Sequence, residues 1–178
     1  MLAKALSILL MLAPALLGEN MLVECVADAW YSRSNPKLEG SGQTLRVGEP
    51  GGSVLLLAFR TAAIEHWKVE KAVIVLHVAA PFELAEISVS LTGGSWRESS
   101  TEPPTLRDTT RTVEKRKPDG WVSIPVPAEL VQALVDGKAT GLAISSARGD
   151  QTFHSRETIQ FAPFLAVVGR GRGAGSLN

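Results

Sequence analysis

The segment ISVSLT, residues 87–92, alternates apolar and polar side chains. Because successive side chains of a β-strand point to opposite faces, Ile87, Val89 and Leu91 are expected to share one buried face. The same alternation returns in TLRV, residues 44–47, and in WVSIPV, residues 121–126. These segments predict a chain of short strands that each bury one side.

Other segments extend this pattern along the chain. Residues 53–59 (SVLLLAF) are almost continuously apolar, which is typical of a strand buried on both faces. Leu130, Val131 and Leu134 show helical spacing before Asp136-Gly137 and predict one short helix. Further strands are expected at residues 26–31, 73–79, 142–144, 152–154 and 163–168.

Two segments leave alternatives open. Residues 61–70 could contain a single helical turn, because Ile64 and Trp67 have helical spacing. Residues 93–120 are polar and form either a long functional loop or an irregular strand pair. About eight short strands and one brief helix predict an all-β fold, an antiparallel β-sandwich. A jelly roll is one such fold, and periodicity alone does not separate it from an immunoglobulin-like topology.

Composition limits the classes of function. The chain has 178 residues, enough for one domain, with 18 basic and 18 acidic side chains. A neutral chain without a basic stripe is not expected to bind nucleic acid. One cysteine forms no internal disulfide, and three histidines without metal-ligand spacing indicate no zinc site.

The N-terminus is typical of a secretory signal peptide. Lys4 is followed by an apolar run over residues 5–17, with small residues at Ala13 and Ala15. That run is shorter than the roughly 20 residues of a membrane span. We therefore expect a signal peptide at residues 1–18, a secreted, extracellular domain at 19–168, not membrane-bound once the signal is cleaved, and a disordered tail at 169–178. A lipid-attached Cys25 is the alternative, but Glu24 stands where such sites need a small residue, so Cys25 is expected to be a small buried residue.

Four segments, in order, resemble the DNRLRE domain, also classed as carbohydrate-binding module family 96. They are VADAWYSRSNPKLEGSGQTLRVG (26–48), SWRES (95–99), GWVSIPVPAELVQALVDG (120–137), and GLAISS with TFHSRE (141–146 and 152–157). The resemblance covers residues 23–168. The stretch TEPPTL follows SWRES where family members continue to a second tryptophan.

The resemblance implies a jelly-roll sandwich that is extracellular, binds polysaccharide, including acidic polymers such as alginate, and accompanies a separate enzyme or surface protein. It also implies that Trp96 and Glu98 close the long loop onto the domain and that Trp121 packs in the interior. Arg156 and Glu157 are expected to form structural ion pairs with other segments.

Sugar binding needs exposed aromatic rings and cationic or polar side chains, and arginine suits a uronate carboxylate because its planar fork donates two parallel bonds. Tyr31 is a candidate ring, since Trp30 and Tyr31 face opposite ways and one of them should be accessible. The cationic candidates are Arg33, Lys37, Arg46 and His154. Exposed basic residues on strands also serve as ordinary edge protection, which is the competing interpretation.

No catalytic or metal-binding motif stands out. His154 and Ser155 are adjacent on a strand and point to opposite faces, so they form no nucleophile–base pair. Asp28, Glu39 and Asp108 could ligate calcium, but no loop has EF-hand spacing, and we expect no metal or cofactor. The chain is therefore expected not to be an enzyme. The alternative function is an extracellular structural or adhesion domain with a protein partner, which a flat apolar patch beside Arg46 and His154 would favour.

Overall fold

A computed structural model of the protein describes residues 18–48, 52–80, 85–116 and 119–172. The predicted signal peptide lies outside these residues, apart from Gly18. Within them, antiparallel strands dominate and one short α-helix is present. The strands are β1 (Glu19–Ser32), β2 (Asn35–Glu39), β3 (Thr44–Gly48), β4 (Ser53–Phe59), β5 (Trp67–His77), β6 (Ala85–Thr92), β7 (Leu106–Thr112), β8 (Lys115–Arg116), β9 (Trp121–Val126), β10 (Gly141–Arg148), β11 (Asp150–His154) and β12 (Phe164–Gly171). The helix α1 spans Ala128–Val135, and two 3-10 turns span Thr61–Ile64 and Ile159–Phe161.

All twelve strands belong to one curled sheet, and β1 is the strand that unites it. The first part of β1 pairs with β12, from Glu19 opposite Gly169 to Glu24 opposite Phe164, which starts the group β1-β12-β5-β9-β8. The second part pairs with β4 and starts the group β1-β4-β10-β6-β7. Strand β2 pairs with β1, and β3 pairs with β11.

The core lies between these two groups of strands. Leu57 of β4 and Leu142 of β10 on one side, and Ile74 of β5 and Ile124 of β9 on the other, belong to one buried cluster. The alternation predicted for residues 87–92 and 121–126 supplies this face, and burying a side chain of this size stabilises the fold by roughly 1.5–3 kcal/mol.

Helix α1 closes the core. Leu130, Val131 and Leu134 are buried in it, as the helical spacing predicted. The Gln132 side chain ties the helix to β5, accepting a hydrogen bond from the Val69 amide at 2.9 Å and donating one to the Trp67 carbonyl at 3.2 Å.

A second apolar cluster lies on the outer face of the β4 group. It contains Tyr31, Leu38, Val54 and Leu56, with Trp96 packed against it. Strand β4 is therefore buried on both faces, which confirms the prediction made from its continuous apolar run. Two polar positions of β6 are also buried: Ser90, whose hydroxyl bonds to that of Thr109, is only 3% exposed, and Thr92, which accepts a hydrogen bond from Trp96 Nε1, is fully buried.

The all-β antiparallel fold with one short helix is confirmed, and several details differ from expectation. Strand β1 begins at Glu19, well before the predicted residue 26, because its first part finds a partner in β12. The segment 61–70 holds a 3-10 turn and then the start of β5 at Trp67. The polar stretch 93–120 contains β7 and β8.

Strand β12 also extends past residue 168, where the sequence predicts the end of the domain. Gly169 and Gly171 pair with Val69 and Trp67 of β5, so β12 continues three residues into the predicted tail. The remainder of that tail, residues 173–178, lies outside the described residues. No helix in the described part of the chain is long and apolar enough to cross a membrane.

Candidate functional site

A groove of about 670 Å³ lies where β1 and β2 meet the loop that leads to β3. This volume is in the usual range of ligand sites, about 300–1,000 Å³. Its lining residues are Trp30, Lys37, Leu38, Glu39, Gly40, Ser41, Gly42, Thr44, Glu98 and Ser99. The groove therefore combines one aromatic ring with charged, hydroxyl and glycine positions.

The pairing of β1 with β2 decides which side chains face this groove. Trp30 is opposite Glu39 in the antiparallel register, so the two residues share a face. Lys37 lies two residues before Glu39 and points the same way. Tyr31 points to the opposite face and belongs to the outer apolar cluster, together with Leu38, which also lines the edge of the groove. Strand alternation thus places the side chains of Trp30 and Lys37 in the groove.

Arg46 lies against the ring of Trp30. Its guanidinium carbon is 5.6 Å from the ring centroid, a cation–π contact worth about 0.5–1 kcal/mol at a partly exposed site. Its Nη2 also donates to Asp150 Oδ2 at 3.3 Å. The side chain of Arg46 remains 45% exposed, so it is positioned by two partners and still accessible.

Lys37 is exposed on β2. Within the part of the chain that the structure describes, no carboxylate lies at ion-pair distance from its ammonium group. It is therefore available to a carboxylate or hydroxyl of a ligand in the groove.

Tyr31 and Arg33 do not join Trp30, Lys37 and Arg46. Tyr31 is only 7% exposed, and burial raises the pKa of its phenol. Tyr31 is therefore not an accessible stacking ring. The accessible ring of the two is Trp30, which is half-buried and lines the groove. Arg33 is exposed at the turn after β1, where its side chain lies against Gly52, beyond the groove.

His154 lies on β11 opposite Thr44 of the groove wall, with Phe153 buried beside it as the alternation predicted. Its ring stacks on Phe161 with centroids 4.9 Å apart and lies 5.3 Å from the ring of His77. Desolvation, and then the neighbouring His77, lower the pKa of His154. The ring is thus part of an aromatic stack beside the groove.

Beneath the groove, Glu98, Arg156 and Asp28 connect three distant segments. Arg156 Nε donates to Glu98 Oε1 at 2.7 Å and Nη2 donates to Oε2 at 3.1 Å. The Asp28 amide also donates to Glu98 Oε1, at 3.1 Å, and the Arg156 amide donates to Asp28 Oδ2, at 2.7 Å. Glu98 does close the long loop onto the domain, and Arg156 does form structural ion pairs, both as the sequence led us to expect.

The electrostatics of these groups follow from their burial. Asp28 is fully buried, and desolvation raises its pKa to about 7 although the Arg156 amide opposes the shift. The hydrogen bonds to Glu98 raise the pKa of Arg156, which therefore stays charged. Of the other carboxylates considered for calcium, Glu39 lines the groove and Asp108 is paired with Arg107 at 3.1 Å.

A second concavity, of about 480 Å³, lies between β7 and α1. Its arginine is already engaged, because Arg107 bonds to Asp108 and to the backbone carbonyl of Lys138. It offers no aromatic side chain among the residues that line it. The groove beside Trp30 is therefore the better candidate for ligand binding.

Comparison of the sequence with models of known protein families gives no match, and no curated protein matches it.

Proposed function

We propose that the protein is a secreted, non-catalytic carbohydrate-binding module of the DNRLRE type, a jelly-roll sandwich that binds an acidic, uronate-containing polysaccharide. The observation that carries this proposal is the groove lined by Trp30 and Lys37, with the Arg46 guanidinium carbon 5.6 Å from the centroid of the Trp30 ring. An aromatic ring stacks on the apolar face of a sugar, and cations beside it bind a uronate carboxylate. The two groups of strands that share one core support the sandwich architecture.

The glycine loop supports the same function. Gly42 presents backbone without a side chain at the groove, so a bulky ligand could approach closely there, whereas the missing side chain of Gly40 leaves room for Glu98. The loop is held in place from β11, since the Ser155 hydroxyl donates to the Gly42 carbonyl at 2.7 Å. A preorganised loop lowers the entropy cost of binding.

The non-catalytic part of the proposal rests on the same serine. Ser155 is fully buried and its hydroxyl is engaged by Gly42, so it is not available as a nucleophile for His154. The Glu98 carboxylate is bound at both oxygens by Arg156, which does not suit a general acid.

The alternative, an adhesion domain with a protein partner, needs an apolar contact surface. In the described part of the chain, Leu22, Val113 and Ile159 are the exposed large hydrophobic residues, and they belong to different segments. Single exposed residues of this kind are ordinary on a soluble surface, so we favour the glycan.

Binding of the purified protein to a panel of neutral and uronate polysaccharides, measured calorimetrically, tests this function. We expect saturable binding to a uronate polymer that weakens with added salt. Lys37→Gln should weaken it about tenfold, whereas Lys71→Gln, which changes an exposed lysine on β5, should not. If no polymer of the panel binds, or if both lysine variants behave alike, this function is wrong.

A further inference from the structure

Three carboxylates converge beside the groove. Asp28, Glu98 and Glu157 each offer one oxygen, and these oxygens all lie within 4.8 Å of one another. Two of the residues are in contact with Arg156, and the third, Asp28, accepts a hydrogen bond from the Arg156 amide. An acidic cluster alone is commonplace at a protein surface, so a second observation is needed to assign it a ligand.

That observation is an unpartnered oxygen on a buried carboxylate. Asp28 is 0% exposed, and among the residues that the structure describes its Oδ1 has no hydrogen-bond partner, although Oδ2 has one. Buried polar atoms are almost always satisfied, and a carboxylate oxygen without a partner is costly in a dry environment. This oxygen belongs to the same carboxylate that joins the cluster, so a cation there would satisfy it.

We propose that Asp28, Glu98 and Glu157 bind a calcium ion. Oxygens at 2.3–2.6 Å from calcium are at most about 5 Å apart, which the cluster satisfies. Magnesium demands near-ideal octahedral geometry at 2.0–2.1 Å and dehydrates reluctantly, so it is less suited than calcium to a cluster of three protein carboxylates.

The local charge also suits a divalent cation. With all three carboxylates ionised the cluster carries −3 and the Arg156 guanidinium adds +1, which leaves −2 for the ion to neutralise. Oε1 of Glu98 already accepts from both Arg156 Nε and the Asp28 amide, whereas Oε2 accepts one hydrogen bond, from Arg156 Nη2, and keeps its second acceptor site for an ion. Glu157 is exposed and Glu98 half-buried, so an ion can enter from solvent and reach Asp28 at the base of the cluster.

This site is independent of the glycan. It lies under the long loop, because Glu98 connects residues 95–99 to β1, and the same Glu98 lines the groove. The bound ion is therefore expected to hold the loop that forms one groove wall, whatever ligand the groove takes.

The test is titration of the chelator-treated protein with calcium chloride and, separately, magnesium chloride, followed by calorimetry and by the thermal unfolding midpoint. We expect one saturable calcium site, a rise in the midpoint, and at least tenfold weaker binding of magnesium. Glu157→Gln should weaken calcium binding at least tenfold while lowering the midpoint in chelator only slightly, because it loses one 3.5 Å contact with Arg156 at a partly exposed site. The matched control, Glu102→Gln, changes an exposed carboxylate outside the cluster and should bind calcium normally.

A second variant separates a metal ligand from a purely structural carboxylate. Asp28→Asn should remove the calcium-induced rise in the midpoint without lowering the midpoint in chelator, since the buried charge is gone. Absence of saturable calcium binding in the unaltered protein, or equal affinities in Glu157→Gln and Glu102→Gln, would overturn the proposal.

Discussion

Arg156 and Glu98 face each other through two nitrogen–oxygen contacts, at 2.7 and 3.1 Å, although 58 residues separate them in the chain. The pair is partly buried, with side-chain exposures of 38% and 24%. Together with the hydrogen bonds to Asp28 it fixes the long loop against β1 and the segment that follows β11. This contact joins β1 to the loop after β6 and to the segment after β11, neither of which forms a strand ladder with β1.

Removing this ion pair should destabilise the domain. We expect Glu98→Gln and Arg156→Gln each to lower the free energy of unfolding by about 1–3 kcal/mol, less than for a fully buried pair because water screens it. A double-mutant cycle in urea should give a favourable coupling energy. As a control, Glu24→Gln breaks the exposed Arg60–Glu24 pair, whose side chains are 66% and 64% exposed, and should cost under about 1 kcal/mol.

Gln132 should matter for the attachment of α1. In Gln132→Ala the Val69 amide, which lies on a buried residue, loses its acceptor, and we expect a loss of about 1–3 kcal/mol in urea unfolding. Gln132→Glu keeps an acceptor for Val69 and loses the donor to Trp67, so it should fall between. Gln160→Ala, at an exposed position, is the control, and a similar loss there would contradict this role.

Gly48 should tolerate no side chain. Its φ is +99°, and an added Cβ would overlap the carbonyl oxygen of Gly149. We expect Gly48→Ala to cost at least about 3 kcal/mol, because backbone strain and a clash add. Gly94 also has a positive φ, +69°, with open space around it, so Gly94→Ala should cost only about 1 kcal/mol. Thermal unfolding of the two variants makes the comparison, and equal midpoints would refute the clash.

His154 should make stability fall at acidic pH. Its pKa is lowered in the folded protein, so the folded state binds fewer protons than the unfolded state below pH about 6.5. The stability that the neutral His154 ring contributes is therefore fully present above pH 6.5 and is lost as the pH falls through the lowered pKa of the folded protein. The rings around it are His77 and Phe161. His154→Gln should reduce the loss of stability between pH 7.5 and 5 in paired melting curves. An identical pH profile in the two proteins would contradict this assignment.

Arg46 should contribute to binding more than to folding. It is 45% exposed and its pair with Asp150 is also accessible, so Arg46→Gln should cost under about 1 kcal/mol of stability. Because it lies on the Trp30 ring, the same change should weaken binding of a uronate polymer several-fold and reduce the salt dependence. Arg148→Gln, which changes an exposed arginine whose Nε lies 3.9 Å from Glu86 Oε1, is the matched control.

The strands that could be predicted are those whose pattern is local. Residues 53–59 and 121–126 match β4 and β9 at both ends, because an apolar run and a clean alternation each carry their own signal. Strand β7, with the sequence LRDTTRT, is mostly exposed and carries no such pattern. The first part of β1 is likewise defined by pairing with β12, which only the tertiary structure supplies.

The groove could be predicted only in part. Alternation places Trp30 and Tyr31 on opposite faces, but which face is open depends on β2, whose Leu38 buries the Tyr31 side. Residue type and strand position make Lys37 and Arg46 candidates. In the structure Lys37 lines the groove and the Arg46 guanidinium lies against the Trp30 ring. The contacts among Asp28, Glu98 and Arg156 span up to 128 residues, so no local pattern could give them.

The register between β1 and β12 has a mechanical consequence. Because the strands are antiparallel and Glu19 lies opposite Gly169, a force that pulls Glu19 away from the end of β12 would load the hydrogen bonds between them one after another, as in opening a zipper. Such a geometry yields at low force, whereas strands pulled lengthwise past each other resist until all their bonds break together. The domain is therefore expected to peel open from this pair of strands first when both ends are tethered under tension.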